Sequence, residues 1–375
     1  MCWPRNSLSR STGVAALRFI PLLLAVLAVS SPASADILVG VAGPMSGPNA
    51  VFGKQMAAGV EAAITVVNAG GGINGEPLRS VVVDDACDTR RAFDVSQDLA
   101  RQDVRVVVGH FCSGATIAAA KTYLEAGILA ITPSATLPAV TDQQNWNVVR
   151  LASRDDAQAD VAAARILKDD AAAKVAIISD GTPSMRSIVE RLKGRLSNGV
   201  EQVIKPGTTN FTDVVTAVKA AGSTVVYFAL TATDAGNLAK ALREENVAAQ
   251  FYGPDLLLNE VYWQKAEDAG EGTRVTFGVD PLTLANKFKV EQVLTGDAGT
   301  EGATLPSFAA VEVFAAAAKA AGVNNGRAMA DWIKGGNTIS TLLGTLQFDS
   351  RGDLVTQHFD WYRWSAAQFA EDPQP

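Results

Sequence analysis

The feature that most constrains this chain is a regular alternation of apolar, strand-like runs with helical segments, which begins at residue 37. In the first half, strands at Ile37–Gly43, 80–83, 104–108 and 128–131 alternate with helices at 54–68, Thr89–Arg101 and 115–126. Strands separated by helices in this way pair in parallel and are covered by helices on both faces. The pattern therefore predicts an α/β fold built on a parallel sheet.

The same pattern restarts after residue 150. Its helices are predicted at 157–167, 184–196, 211–220 and 235–244, and its strands at 175–178, 224–228 and 250–252. Further helices at 308–321 and 328–334 and a strand at 357–364 follow. At roughly 150 residues per domain, a chain of 375 residues holds two or three. Two α/β lobes can bind a ligand between the carboxyl ends of their strands.

The first 35 residues have the pattern of a secretory signal peptide. Arg5, Arg10 and Arg18 precede an apolar run at 19–29, and the small residues at 33–35 form an A-x-A cleavage site. The apolar run is shorter than the roughly 20 residues that span a bilayer as a helix. We expect cleavage after Ala35 and export to the periplasm; the alternative is an uncleaved anchor.

Composition excludes several kinds of chemistry. A net charge of −7 argues against a nucleic-acid binder, which needs a basic face. Two histidines and three cysteines leave little material for a metal site or a Cys-His nucleophile, so we expect no catalytic residues, no metal and no cofactor. Cys87 and Cys112 remain after export, and an even pair in an exported protein predicts a disulfide; two free buried thiols are the alternative.

Other motifs have structural interpretations. The glycines at 70–75 match G-x-G-x-x-G, but a helix precedes them and a strand follows, which favours a helix stop and turn over a nucleotide site. His110 and His358 are candidate general bases, yet no nucleophile signature accompanies either. An exported α/β enzyme is therefore the weaker of the functional hypotheses.

Five segments carry a resemblance to a known family: VAGPMSGP at 41–48, NAGGGING at 68–75, DDACD at 84–88, GHFCSG at 109–114 and ITPSAT at 131–136. Together they resemble the periplasmic leucine/isoleucine/valine-binding proteins, the substrate-binding subunits of branched-chain amino acid ABC importers. The resemblance implies the type I periplasmic binding protein fold, in which two Rossmann-like lobes are joined by three crossovers. These crossovers are expected near 151–154, 279–281 and 346–349.

The expected domains follow from those crossovers. A signal peptide occupies 1–35, lobe 1 consists of 36–152 plus 280–345, lobe 2 consists of 153–279 plus 346–365, and 366–375 form a C-terminal tail. The resemblance also implies that Cys87 and Cys112 form a disulfide.

The resemblance further implies a set of ligand contacts. It places the ligand's α-groups at Ser113, the backbone of Ser134 and Ala135, and Thr136, with Asp255 on the ammonium. Helix capping is the alternative for Ser113 and Thr136, and a plain loop acid is the alternative for Asp255. The family's aromatic positions align with Phe52, Ser184 and Thr231; because the latter two are small, a roomier and more polar wall is expected in lobe 2.

Elementary chemistry supports this arrangement. A ligand carboxylate needs neutral donors such as hydroxyls and helix N-terminal amides, which Ser113 could supply where a helix directly follows a strand. A ligand ammonium needs an acid to offset its desolvation, as Asp255 would. Together with the resemblance, this arrangement predicts a non-enzymatic receptor that delivers an amino acid or similar carboxylate to an inner-membrane ABC permease. We expect a monomer, because a receptor that closes its lobes must dock a permease face. A ligand-sensing subunit of a membrane receptor is a further alternative.

Overall fold

A computed structural model of the chain describes residues 36–196, 199–294 and 299–372; the predicted signal peptide lies outside the described residues. The first half forms a five-stranded parallel sheet of order β2-β1-β3-β4-β5. Its strands are β1 (Ile37–Gly43), β2 (Leu78–Asp84), β3 (Val106–Gly109), β4 (Leu129–Thr132) and β5 (Val148–Arg150).

Helices cover both faces of this sheet. They are α1 (Ala50–Ala69), α2 (Thr89–Arg101), α3 (Ser113–Glu125) and α4 (Ala139–Asp142), joined later in the chain by α10 (Pro281–Leu284), α11 (Lys287–Val293), α12 (Thr304–Ala321) and α13 (Gly326–Lys334). A hairpin of β11 (Ile339–Thr341) and β12 (Gly344–Leu346) completes lobe 1. Helices α1 and α12 share one core with Val39 and Val41, whereas Leu99 and Tyr123 of α2 and α3 pack on the opposite face.

Helices α1 and α12 are each long and apolar enough to cross a membrane by length and composition alone. In this fold they pack against each other, and most of α12 is buried in the core of lobe 1. The contact is so close that a Cβ atom at Gly59 would lie 2.1 Å from the carbonyl oxygen of Thr304. The apolar composition of α12 is therefore explained by burial in the protein core.

Lobe 2 is built on a seven-stranded sheet of order β14-β13-β10-β9-β8-β6-β7. Its strands are β6 (Val175–Ser179), β7 (Gly199–Val203), β8 (Val225–Ala229), β9 (Gln250–Gly253), β10 (Arg274–Gly278), β13 (Phe359–Ser365) and β14 (Gln368–Glu371). The pairs β10–β13 and β13–β14 are antiparallel, and the others are parallel. The predicted α/β class with two lobes is confirmed.

The helices of lobe 2 also lie on both faces of its sheet. Helices α5 (Ala157–Asp169) and α6 (Pro183–Arg195) pack on one face, and α7 (Thr212–Ala220), α8 (Ala232–Glu244) and α9 (Glu260–Ala266) pack on the other. Short 3₁₀ turns occupy Asp255–Leu257 and Glu267–Gly270. Strand β14 lies within the stretch expected as a C-terminal tail.

The chain passes between the two sheets three times. The first passage joins β5 to α5, and the second joins β10 to α10. The third lies after Leu354, because Phe348 and Leu354 are still buried in the lobe 1 core and the next strand, β13, belongs to lobe 2. This passage therefore falls later than the expected 346–349. The delay has a physical cause, since the amide of Arg150 donates to the carbonyl of Gly352 and holds the turn against β5.

A buried ion cluster lies where the first and third passages leave lobe 1, a region that we call the hinge. The carboxylate of Asp353 lies 2.7 Å from Nη2 of Arg150 and 2.9 Å from Nη1 of Arg154, and it accepts a bond from the Thr141 hydroxyl. Burial alone would raise the pKa of Asp353, but the two guanidinium groups hold it below its usual value. Arg154 also pairs with Asp156, just before α5. The cluster thus ties β5, α4, the 349–353 turn and the start of lobe 2 together.

The Cys87–Cys112 disulfide is present, with 5.4 Å between the two Cα atoms. It joins the loop after β2 to the residue that precedes Ser113, the first residue of α3. The disulfide prediction is confirmed, and the bond anchors the loop that leads into the candidate site.

Replacing Asp353 with Asn should lower the free energy of unfolding by about 3 kcal/mol, because buried Arg150 loses its ionic partner and Arg154 loses one of its three. Urea denaturation measures the change. The matched control is Asp36→Asn, which breaks an exposed pair with Arg79 and should change stability by less than about 1 kcal/mol. Equal effects of the two substitutions would contradict a structural role for the cluster.

Candidate functional site

A cavity of about 440 Å³ lies where the carboxyl ends of strands from both lobes meet. Lobe 1 contributes the segment after β4, including Ser134 and Thr136, and lobe 2 contributes Asp255 after β9 and Gly278 at the end of β10. The first passage between the lobes adds Leu151, Ala152, Ser153 and Asp155. In open α/β folds, ligands bind outside the carboxyl ends of the strands, where the loops that follow the strands converge.

One end of the cavity is acidic. Asp155 and Asp255 both line it, one from the first passage and one from lobe 2. The Asp155 amide donates to the carbonyl of Thr136 at 3.0 Å, which fixes Asp155 beside the loop after β4. No Lys or Arg side chain lines the cavity in the part of the chain that the structure describes.

The buried amide side chain of Gln158 positions Asp255. Its Nε2 donates to Oδ1 of Asp255 at 3.2 Å, and its Oε1 accepts from the Asp255 backbone amide at 3.1 Å. The Thr276 hydroxyl donates to the same Oε1 at 2.7 Å. Gln158 on α5 therefore fixes the loop after β9 relative to the first passage between the lobes.

The surroundings of both carboxyl groups disfavour their ionised forms. Burial, with the nearby charge of Asp255, raises the pKa of Asp155 to about 6. Burial also raises the pKa of Asp255, although the hydrogen bond from Gln158 opposes the shift. Two half-buried acids near each other disfavour the doubly ionised state, and a bound cation would relieve both penalties. This end of the cavity is therefore suited to a positively charged group.

The rest of the cavity is mainly apolar. Phe52 and Phe111 form its lobe 1 wall, with stacked rings whose centroids are 4.7 Å apart and whose planes differ by 11°. Leu151, Leu284 and Leu346 are among the other side chains that line this part. Lobe 2 supplies polar groups to the lining, Gln158 and Asp255, whereas most of the apolar surface comes from lobe 1 and the hinge.

The structure brings together four of the residues predicted to contact ligand: Phe52, Ser134, Thr136 and Asp255. Ser113 and Ala135 lie beside the cavity without lining it. The Ser113 hydroxyl accepts bonds from the amides of Thr136 and Leu137 at 3.1 and 3.3 Å, so it holds the loop that carries Thr136.

Two predicted contacts remain. Thr231 is exposed, does not line the cavity and caps α8, where its Oγ1 accepts from the amide of Asp234 at 3.3 Å. Ser184 belongs to α6, but its side chain lies outside the described part of the chain. Asp155 and Gln158 were not identified from the sequence. Their position just after β5 was the available signal, because sites in such folds collect at the carboxyl ends of strands.

Comparison with known proteins identifies the family. The profile of the periplasmic binding protein family matches residues 36–368, nearly the whole described chain. The chain belongs to this family. It is 38% identical over 351 residues to a Pseudomonas aeruginosa protein named amino acid binding protein, covering 90% of this chain and 93% of that one. It is also 38% identical to Leu/Ile/Val-binding protein homolog 1 of Brucella suis, covering 91% and 94%.

Solved structures agree on the fold. The ABC transporter substrate-binding protein from Desulfitobacterium hafniense, crystallised with Leu, superposes with a TM-score of 0.66 at 20% identity, covering 90% of this chain and all of that one. Family membership means that the chain is a binding protein and not an enzyme, and it implies an extracytoplasmic location. His110 fits this conclusion, because it is buried outside the cavity between Asp85 and Tyr123, at 2.6 and 2.9 Å.

The raised pKa of Asp155 predicts a pH-dependent stability. Unfolded aspartate titrates near 4, so ionising Asp155 in the ligand-free fold should lower the free energy of unfolding as pH rises from about 4 through about 6, by up to ~2 kcal/mol. Asp155→Asn cannot ionise and should gain stability relative to the natural chain over this range. Thermal unfolding across the pH series measures it, with exposed Asp268→Asn as control. A difference between variant and natural chain that stays constant with pH would contradict the assignment.

Proposed function

We propose that this protein is a periplasmic receptor for a free α-amino acid, which it delivers to an inner-membrane ABC permease. The observation that carries the proposal is the acidic end of the cavity, where Asp155 and Asp255 converge without a basic side chain among the described lining residues. An α-ammonium group placed between them would offset the desolvation of both carboxylates.

The ligand carboxylate needs neutral donors, because no basic side chain is described in the lining. The loop after β4 supplies the Thr136 hydroxyl, whereas the Ser134 hydroxyl already donates to the carbonyl of Phe111 at 3.0 Å. Ser113 holds that loop in place by accepting bonds from two of its amides. This assignment keeps both charged groups of the ligand within one small polar site. The names of the Pseudomonas and Brucella relatives, which refer to amino acids, support the same ligand class.

The positions of the ligand-binding groups on different lobes imply that the lobes close on the ligand. Thr136 belongs to lobe 1, Asp155 to the first passage and Asp255 to lobe 2, so one ligand contacts all of them only when the lobes are together. Ligand binding would then shift the population toward the closed form, which the permease recognises. We further propose that residues 1–35 direct export and are removed, and that the mature protein acts as a monomer.

Replacing Asp255 with Asn should weaken the binding of the best amino acid ligand by at least about tenfold, because the ammonium loses a buried ionic partner. Isothermal titration of refolded, ligand-free protein measures the change. Asp268→Asn, on the exposed 3₁₀ turn of lobe 2, is the matched control and should bind as the natural chain does. Unchanged affinity in the Asp255 variant would show that the ammonium binds elsewhere.

A further inference from the structure

The apolar part of the cavity lies next to the hinge, and the α-groups of an amino acid bound at the acidic end leave it unoccupied. Its wall is formed by residues from three parts of the chain: Leu151, Leu284, Pro306, Leu343, Leu346 and Leu354. We call this region the hinge chamber. We propose that it binds the side chain of a large, aromatic amino acid in preference to a branched-chain one. The inference rests on the proposed function and deepens it.

Volume is the first argument. A water molecule occupies roughly 30 Å³ of liquid, so a cavity of about 440 Å³ equals the volume of about 15 water molecules. Covalently bonded non-hydrogen atoms each take up less space than a water molecule, so at least about 15 of them fit. Leucine has nine such atoms, phenylalanine twelve and tryptophan fifteen. A bound leucine would leave space for several atoms beside the leucine side chains of the wall. Unfilled apolar space forfeits packing contacts, so a larger side chain is favoured.

The chemistry of the wall is the second argument. Both acids of the cavity belong to the end assigned to the α-ammonium group, and the six residues that define the hinge chamber are apolar. Thr345 and His358 also line the cavity, but neither brings a carboxylate to pair with a cationic side chain. A charged ligand side chain would thus be desolvated there without an ionic partner, which is costly.

The aromatic wall is the third argument. Phe52 and Phe111 stack with nearly parallel rings and both line the cavity. A third ring can extend such a stack or meet it edge-on, and aromatic pairs of either geometry gain about 0.5–1.5 kcal/mol beyond their buried area. An aliphatic side chain gains only the burial.

Two residues of the hinge chamber lie on segments that connect the lobes, so a large ligand side chain would contact the hinge. Leu151 follows β5 at the start of the first passage, and Leu354 precedes the third passage. Both residues belong to the lobe 1 core. A ring that contacts them would pack against the two segments that connect the lobes.

Isothermal titration of refolded, ligand-free protein with phenylalanine, tryptophan, leucine, alanine and 3-phenylpropanoate tests the inference. We expect phenylalanine or tryptophan to bind at least about tenfold more tightly than leucine, and alanine to bind most weakly. Leucine binding as tightly as the aromatic amino acids would overturn the inference and leave the proposed function standing. Absence of binding by any amino acid, or equally tight binding of 3-phenylpropanoate, would instead overturn the proposed function on which it rests.

A chamber-filling variant adds a second test. Ala303 lines the cavity at the start of α12 and is buried, so Ala303→Leu should occupy part of the chamber. We expect it to weaken the binding of the aromatic ligand at least about tenfold and that of alanine less than about twofold. Exposed Ala172→Leu in lobe 2 is the matched control. Equal losses for the aromatic ligand and for alanine would contradict the placement of the side chain; if the variant does not fold, the ligand series on the natural chain decides.

Discussion

The geometry of the site depends on the ion pairs of the buried Asp353 carboxylate. This carboxylate pairs with Arg150 at the end of β5 and with Arg154 in the first passage, so that the segments joining the lobes are held at their lobe 1 end. Removing one partner from such a cluster leaves a buried charge that costs several kcal/mol. Because Arg154 is fixed, its neighbour Asp155 is held at the cavity, where its amide binds Thr136.

The two carboxyl groups of the cavity, when ionised, destabilise the ligand-free protein. Desolvation raises the pKa of both Asp155 and Asp255, and Gln158 compensates only part of this for Asp255. Structures that keep such unfavourable groups at a site usually do so for binding, since the penalty disappears when a complementary charge arrives. The same acids disfavour ligands that carry a carboxylate without an amine, which connects the electrostatics of the fold to its specificity.

The alternation of strands and helices was sufficient to predict two α/β lobes, because long periodic segments such as α2 and strands such as β1 carry strong local signals. Short strands were missed: β5 has only three residues, and β7 alternates at the exposed edge of its sheet. The Cys87–Cys112 disulfide was predicted from the cysteine count and the resemblance. Asp155 and Gln158 were missed because their role depends on burial and on partners distant in sequence.

The crystal structure of the complex with the tightest-binding amino acid tests the account most directly. The account predicts that the α-ammonium nitrogen lies within hydrogen-bond distance, about 3 Å, of the carboxylates of Asp155 and Asp255, with the side chain directed toward the hinge. A ligand whose carboxylate faces these two acids, or one bound outside this cavity, would contradict it.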